Sequence, residues 1–141
     1  MNFRPKVLVV GQDFDLCEAN IFSGLVENGV TIEVIMSPAL NRKEILEKAG
    51  IKVNALGISS RIDLSAIWKL RQRLLSNNYD IVHCLTSRAL SNVLLASRNI
   101  KTKIVAYRGT VGHLSRIDPS SWLAYLNPKV DKIICVSNSV K

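Results

Sequence analysis

An α/β fold built on a doubly wound, all-parallel sheet is what this 141-residue sequence predicts. Three observations carry the prediction. Strand-like runs such as Lys6-Val-Leu-Val-Val-Gly11 are apolar throughout, which marks strands buried on both faces. Helix-like segments with caps and stops alternate with these runs. Right-handed crossovers then arrange the units as a three-layer α/β/α, Rossmann-like sheet. The length suits one domain with its own core, here residues 1–141.

Lys6–Gly11 is the first strand. Leu16 to Asn28 reads as a helix through Ile21, Phe22, Leu25 and Val26, with Gly29 as its stop. Thr31-Ile-Glu-Val-Ile-Met36 is the second strand. Asn41 is placed to cap a helix reaching Ala49, with Glu44 as capping-box acid and Gly50 closing it. Ile51 to Leu56 is a weaker third strand. Asp63 is placed to cap a helix over Leu64 to Ser76, whose apolar face is Leu64, Ile67, Trp68, Leu70, Leu74 and Leu75. Lys69, Gln72 and Arg73 point outward in this reading, and Arg71 snorkels from the apolar edge. Asp80-Ile-Val-His-Cys84 is the fourth strand. Ser87 can cap a helix over about Arg88 to Ser97, carrying Leu90, Val93 and Leu94. Lys103–Tyr107 is the fifth strand and Ile133-Ile-Cys-Val136 a short buried sixth. Ser137 or Asn138 would then cap a helix, so the chain is expected to be a piece of something larger.

Composition narrows the function classes. Nothing approaches the roughly 20 apolar residues of a membrane span, and no signal-peptide layout opens the chain, so a cytoplasmic protein is expected. Cys17, Cys84 and Cys135 are far apart and lack metal-ligand spacing; they read as small hydrophobes, with a catalytic thiol the remote alternative. Nineteen Lys plus Arg against 11 Asp plus Glu give a net charge of +8, which favours an anionic partner. The charge is dispersed and not interleaved with aromatics, which argues against nucleic acid.

In a sheet of this kind, ligands bind outside the carboxyl ends of the strands. The loops there supply the candidate binding residues Gly11, Gln12 and Asp13, then Ser87 and Arg88, then Arg108, Gly109, Thr110 and His113, then Ser137. A dinucleotide site would need more glycines and an acid after the second strand; Gly11 stands alone and Asp13 and Asp15 would repel a pyrophosphate. A phosphate-accepting receiver would need an acceptor Asp at the end of a central strand, where this chain has His83-Cys84-Leu85. Arg108 offers a fixed cation for phosphate or carboxylate, or else salt-bridges a loop acid such as Asp118. His113 can act as a general base or sit solvated in its loop; His83 reads as a satisfied core histidine. Ser87 and Arg88 can meet an anion at a helix start, although capping alone explains Ser87. No catalytic residue and no metal site is assigned.

Four segments resemble the first domain of glycosyltransferase family 4, retaining enzymes of GT-B architecture. Asp80-Ile-Val-His83 is similar to that family's D-(I/V)-V-H strand. Ile104-Val-Ala-Tyr-Arg-Gly109 sits where members have a strand ending in His-Gly. Val130-Asp-Lys-Ile-Ile-Cys-Val-Ser137 is similar to A-D-x-(I/V)-I-x-V-S. Asn28-Gly-Val-Thr-Ile-Glu-Val-Ile35 matches the x-G-H-E-V entry to the second strand, with Val30 in place of His. The resemblance implies half of a GT-B cleft, on the acceptor side. A separate donor-binding domain, absent from these residues, would hold a nucleotide-sugar as co-substrate, with no further cofactor. It implies a glycan or lipid-linked acceptor and work at the inner membrane face. Three departures matter: Gly11-Gln12 replaces a glycine run, Leu85 a second His, and Arg108 a His before Gly. An Arg cannot be a general base, so Arg108 would bind charge. Arg61, Lys69, Arg71 and Arg73 with Trp68, and Trp122-Leu-Ala-Tyr125, could rest on anionic lipid, unless both Trp pack in the core. A non-catalytic anion-binding or regulatory module on the same sheet is the alternative class.

Overall fold

Apolar, β-branched runs form a six-stranded, all-parallel sheet in this computed structural model, which describes residues 3–39, 42–108, 117, 119, 121 and 124–135. The strands are β1 (Lys6–Val10), β2 (Thr31–Met36), β3 (Lys52–Ala55), β4 (Ile81–Cys84), β5 (Lys103–Arg108) and β6 (Lys132–Cys135), and their spatial order is β3-β2-β1-β4-β5-β6. The chain winds outward from β1 to β3, then returns to the other side of β1 and winds through β4 to β6. The reversal falls between β1 and β4, the crevice where such sheets bind ligands.

Helices α1 (Leu16–Glu27) and α2 (Lys43–Lys48) lie on one face, and α3 (Leu64–Ser76) and α4 (Ser87–Ala96) on the other. Under α3 and α4 the core joins Leu8, Val10, Val82, Cys84, Ile104 and Ala106 to Leu70, Leu74, Leu90 and Val93. Under α1 and α2, Val9, Ile32, Val34 and Met36 pack on Phe14, Ala19, Phe22 and Leu46. Residues therefore alternate between two cores along β1 and the second half of β2, which is why those strands are apolar there on both faces.

Local chemistry sets the helix ends. Asp15 caps α1 by accepting from Glu18 N at 2.7 Å, and Glu18 Oε2 accepts from Asp15 N at 3.0 Å, a complete capping box. Asp63 caps α3 as expected. The backbone amide and hydroxyl of Ser59 also donate to Asp63, and these hydrogen bonds pull its carboxyl pKa down to about 2. Gly29, just after α1, has φ +93°, a left-handed conformation that disfavours any side chain.

Five readings are corrected, the last of them Arg73, which pairs with Glu33 rather than pointing outward. Thr86, not Ser87, caps α4: its Oγ1 accepts from Ala89 N at 3.0 Å, and Ser87 is the first helical residue. The residue before α2 is Arg42, with no side-chain cap, and Asn41 lies outside the described residues. The buried side of α3 is Ala66, Leu70 and Leu74 with Ile67 partly covered, whereas Leu64, Trp68 and Leu75 face outward. The sixth strand is a sheet edge, and Ile133 and Ile134 are exposed, because nothing described pairs beyond it.

A polar cluster lies beneath α3. Glu33 on β2 is buried, and its carboxylate meets Lys6 Nζ at 3.7 Å, Arg73 Nη1 at 3.3 Å and Tyr79 Oη at 2.6 Å. Arg73 therefore points inward to a partner rather than into solvent. Arg71 does likewise, donating to the carbonyls of Ala96 at 3.0 Å and Arg98 at 2.9 Å. Those bonds tie α3 to the end of α4, where orphan carbonyls need donors.

Candidate functional site at the carboxyl edge of the sheet

Val10, Cys84 and Ala106 are in register across β1, β4 and β5. The residues that follow them therefore emerge side by side. This brings Gly11 and Gln12, Thr86 to Arg88, and Arg108 to one edge at the reversal point.

Gly11 is buried where β1 meets β4. A Cβ there would lie 3.1 Å from Leu85 Cδ1 and 3.3 Å from Phe14 Cζ, so its role is close packing of the turn on the core. Its amide continues the sheet by donating to Ile35 O at 3.0 Å. Gln12 reaches across the edge and donates to Ile58 O at 2.6 Å, fastening the loop after β3 to the loop after β1. Asp13 is exposed, and its Oδ1 accepts from Phe14 N at 2.8 Å. Phe14 is buried below, and Arg42 donates to its carbonyl. This turn is held by a buried anchor and three tethers, which fits a loop positioned by a rigid scaffold.

On the other side of the crevice, Asn92 on α4 is fully buried yet fully used. Its Nδ2 donates to Ser60 O at 2.9 Å and Arg88 O at 2.8 Å, and its Oδ1 accepts from Asp63 N at 2.8 Å. Ser91 Oγ adds a bond to Arg61 O at 2.6 Å. These contacts pin the segment between β3 and α3 against α4. Arg88 itself is exposed at the first turn of α4, whose free backbone amides favour an anion.

Arg108 ends β5 and is only 8 % exposed. Its guanidinium lies 5.5 Å from the centre of the Tyr125 ring, a cation–π geometry. Tyr125 Oη donates to Tyr107 O at 3.1 Å, so the ring is fixed under the guanidinium. Burial pushes the Tyr125 phenol pKa up, and the Arg108 charge opposes that shift. The stack orients a charge at the strand end. Asp118, the alternative partner, lies outside the described residues, as do Gly109, Thr110, His113, Ser137 and Trp122.

Residues outside the edge behave as core. His83 is half-buried with Nδ1 3.3 Å from Val105 O, and burial pushes its pKa down. Cys84 is buried and its thiol pKa is pushed far up, so the thiolate is suppressed there. Cys17 is exposed and Cys135 half-buried. Among the described residues no cluster of three or more His, Cys, Asp or Glu can hold a metal ion, and no helix is long and apolar enough to cross a membrane.

Cavities of about 510 and 540 Å³ lie at the opposite end of β4 and β5 and beside β3 and α3. None of the described carboxyl-edge candidates lines either one. Among the described residues, the edge presents exposed Asp13 and Arg88 beside half-buried Gln12 and buried Arg108. Sequence reasoning missed Thr86, Asn92 and Tyr125. The first two were legible as a hydroxyl before a helix and an amide beside Leu90 and Val93. Tyr125 carried no local signal, since it meets Arg108 only through the fold.

The model of Glycosyltransferase Family 4 matches residues 19–141. No curated protein matches the chain. Among solved structures, MurG of Acinetobacter baumannii superposes with a TM-score of 0.72 at 11% identity, over 97% of this chain and 43% of that one. A Listeria monocytogenes protein assigned as a UDP-N-acetylglucosamine 2-epimerase gives 0.66 at 16%, over 98% and 40%. CalG4, the calicheamicin glycosyltransferase, gives 0.56 at 15%, over 84% and 34%. At these identities the likeness establishes the fold. The chain spans less than half the length of each of these neighbours.

Proposed function

This chain belongs to glycosyltransferase family 4, and we propose that it forms the acceptor-side half of an enzyme moving sugar from a nucleotide-sugar to a glycan or lipid-linked acceptor. The observation that carries the reading is the edge at the reversal point, where polar groups converge from three adjacent strands, as expected of one wall of a cleft. The rate of such a transfer comes largely from holding donor and acceptor together. The nucleotide-sugar would be the co-substrate, held by a second domain, with no other cofactor on this half. Arg108 is the charge-binding residue, because a guanidinium accepts no proton at neutral pH and pairs well with phosphate.

The test has two readouts. Incubated with labelled UDP-, GDP- or ADP-sugars, the 141-residue chain is expected to transfer nothing. Titration with a short prenyl-phosphate-linked saccharide is expected to shift the amide resonances of Gln12, Arg88 and Arg108 while a nucleotide-sugar leaves them still. Robust turnover by the chain alone, or shifts with the donor only, would reverse the assignment.

We further propose that the protein works in the cytoplasm, on the inner membrane face. Support comes from α3, whose 13 residues include no acid and whose outer side presents Trp68, 63 % exposed, and Leu64, 78 % exposed. Ile62 and Arg61 before the helix and Lys69 within it are exposed on the same segment. The patch is smaller than its sequence suggests, since Arg71 and Arg73 are engaged within the protein. An aromatic ring flanked by cations suits the headgroup layer of anionic lipid. Co-sedimentation with phosphatidylglycerol vesicles is expected, reduced several-fold by Trp68→Ala and absent with neutral phosphatidylcholine. Binding unchanged by Trp68→Ala would remove α3 from the contact.

A further inference from the structure

Asn54 on β3 stands in register with the buried Ile35 of β2. Its neighbour Val53 packs toward α1 and α2, so strand alternation turns Asn54 toward α3. There its Nδ2 is buried and has no hydrogen-bond partner. An amide donor left in that state carries its full desolvation cost, so the position asks for an acceptor from outside the protein.

Asn54 lines the cavity of about 540 Å³ between β3 and α3. The flank of α3 that overlooks it carries Trp68, Lys69, Gln72, Arg73 and Ser76, one side of the helix by their spacing. Among the described residues no acid lines this cavity, and the side chains of Lys69, Gln72 and Ser76 make no hydrogen bond or ion pair. Behind Arg73, its partner Glu33 also meets Lys6, and two cations around one carboxylate leave that cluster net positive. The cavity thus offers donors and positive charge. A phosphate diester meets the charge, and hydroxyl groups beyond it suit Gln72 and Ser76, which both donate and accept. The mouth points to the source. Trp68 is 63 % exposed where it lines the cavity, Leu64 stands one turn before it at 78 %, and Ile62 precedes the helix at 53 %. Exposed apolar groups beside an anion-seeking cavity match a molecule with a charged head and a hydrocarbon body.

We propose, resting on the membrane contact of α3, that this cavity receives the glycerol-phosphate headgroup of an anionic phospholipid. Lys69 and Asn54 Nδ2 meet the phosphate oxygens, Gln72 and Ser76 the glycerol hydroxyls, and Trp68 sits at the level of the ester groups. Asn54 reaches its acceptor by a turn about χ2, a soft torsion in this residue. The contact then reads one headgroup rather than surface charge alone.

Co-sedimentation with vesicles of phosphatidylglycerol or phosphatidylserine, at equal mole fraction in phosphatidylcholine, tests this. The two surfaces carry the same charge, but the serine ammonium meets no acid in the cavity. Binding to phosphatidylglycerol is expected to be several-fold tighter. Asn54→Leu and Gln72→Met should each abolish that preference while leaving the weaker serine-lipid binding in place, whereas Trp68→Ala lowers both. Asn54→Leu should not lower the melting temperature, because it removes an amide that lacks a partner. Equal binding to the two lipids, or a preference indifferent to Asn54→Leu, would overturn the headgroup site while the membrane contact stands. Failure to bind either lipid would overturn both. Soluble glycerol phosphate shifting the Asn54 side-chain amide resonance, without vesicle binding, would overturn the lipid source and give the cavity to a free phosphate ester.

Discussion

Replacing Asn92 with Ala is expected to lower stability by about 2–4 kcal/mol. The amide makes three hydrogen bonds from a fully buried position, to Ser60 O, Arg88 O and Asp63 N. Truncation leaves Ser60 O and Asp63 N without those bonds in a place water cannot easily fill, and adds a small void. Asn92→Asp keeps the shape but removes both donors and brings a carboxylate against two carbonyls, so it should be as damaging or worse. Urea denaturation measures both. The effect should also reach the carboxyl edge: hydrogen exchange at residues 58–63 should rise in Asn92→Ala before global unfolding does, because that segment is held to α4 by this side chain. A loss below half a kilocalorie would mean that the loop carries itself.

The second large effect is expected at Glu33. Glu33→Ala should cost about 2–4 kcal/mol, most of it from the Tyr79 hydroxyl left without its acceptor. Lys6 and Arg73 are partly exposed and can turn to water, so each of those pairs contributes at most about 1 kcal/mol. The pH dependence is specific. Burial first, and the bond to Glu33 second, raise the Tyr79 pKa well above its ordinary value. The unfolded chain then loses this proton before the folded one, so stability falls as pH rises. The contribution is complete below about pH 10, the ordinary tyrosine value, and is lost progressively above it. Tyr79→Phe should remove that alkaline slope at a cost near 1 kcal/mol at neutral pH. Melting temperatures from pH 8 to 11.5 check it, and parallel slopes for the two proteins would exclude Tyr79 as the titrating group.

Much of the fold was legible because its signals are short-range. Asp15 and Asp63 cap the helices they precede, and Gly29 adopts the left-handed φ that a helix stop favours. The apolar strands β1 and β2 proved to lie between two helical layers. Less was legible wherever a side chain had two plausible surroundings. Helix α3 has one apolar stripe through Ala66, Leu70 and Leu74 and a second through Leu64, Trp68 and Leu75, and periodicity alone does not say which meets the sheet. Ile133 and Ile134 read as core because they are apolar, yet they sit on an edge. The candidate residues Gly11, Gln12, Ser87, Arg88 and Arg108 do share one end of the sheet, but Gln12 and Arg108 have partners, Ile58 and Tyr125, that lie far away in sequence.

The sequence by itself determined the kind of sheet, the order of its elements and the edge at which polar loops gather. Those properties follow from burial pattern, capping and chain handedness, each readable over a few residues. Tertiary contacts alone settled which flank of α3 is core, that β6 is the edge among the described strands, and that Arg71 and Arg73 turn inward. Each depends on which strands become neighbours, and neighbours are chosen by contacts between residues tens of positions apart, which no local window contains.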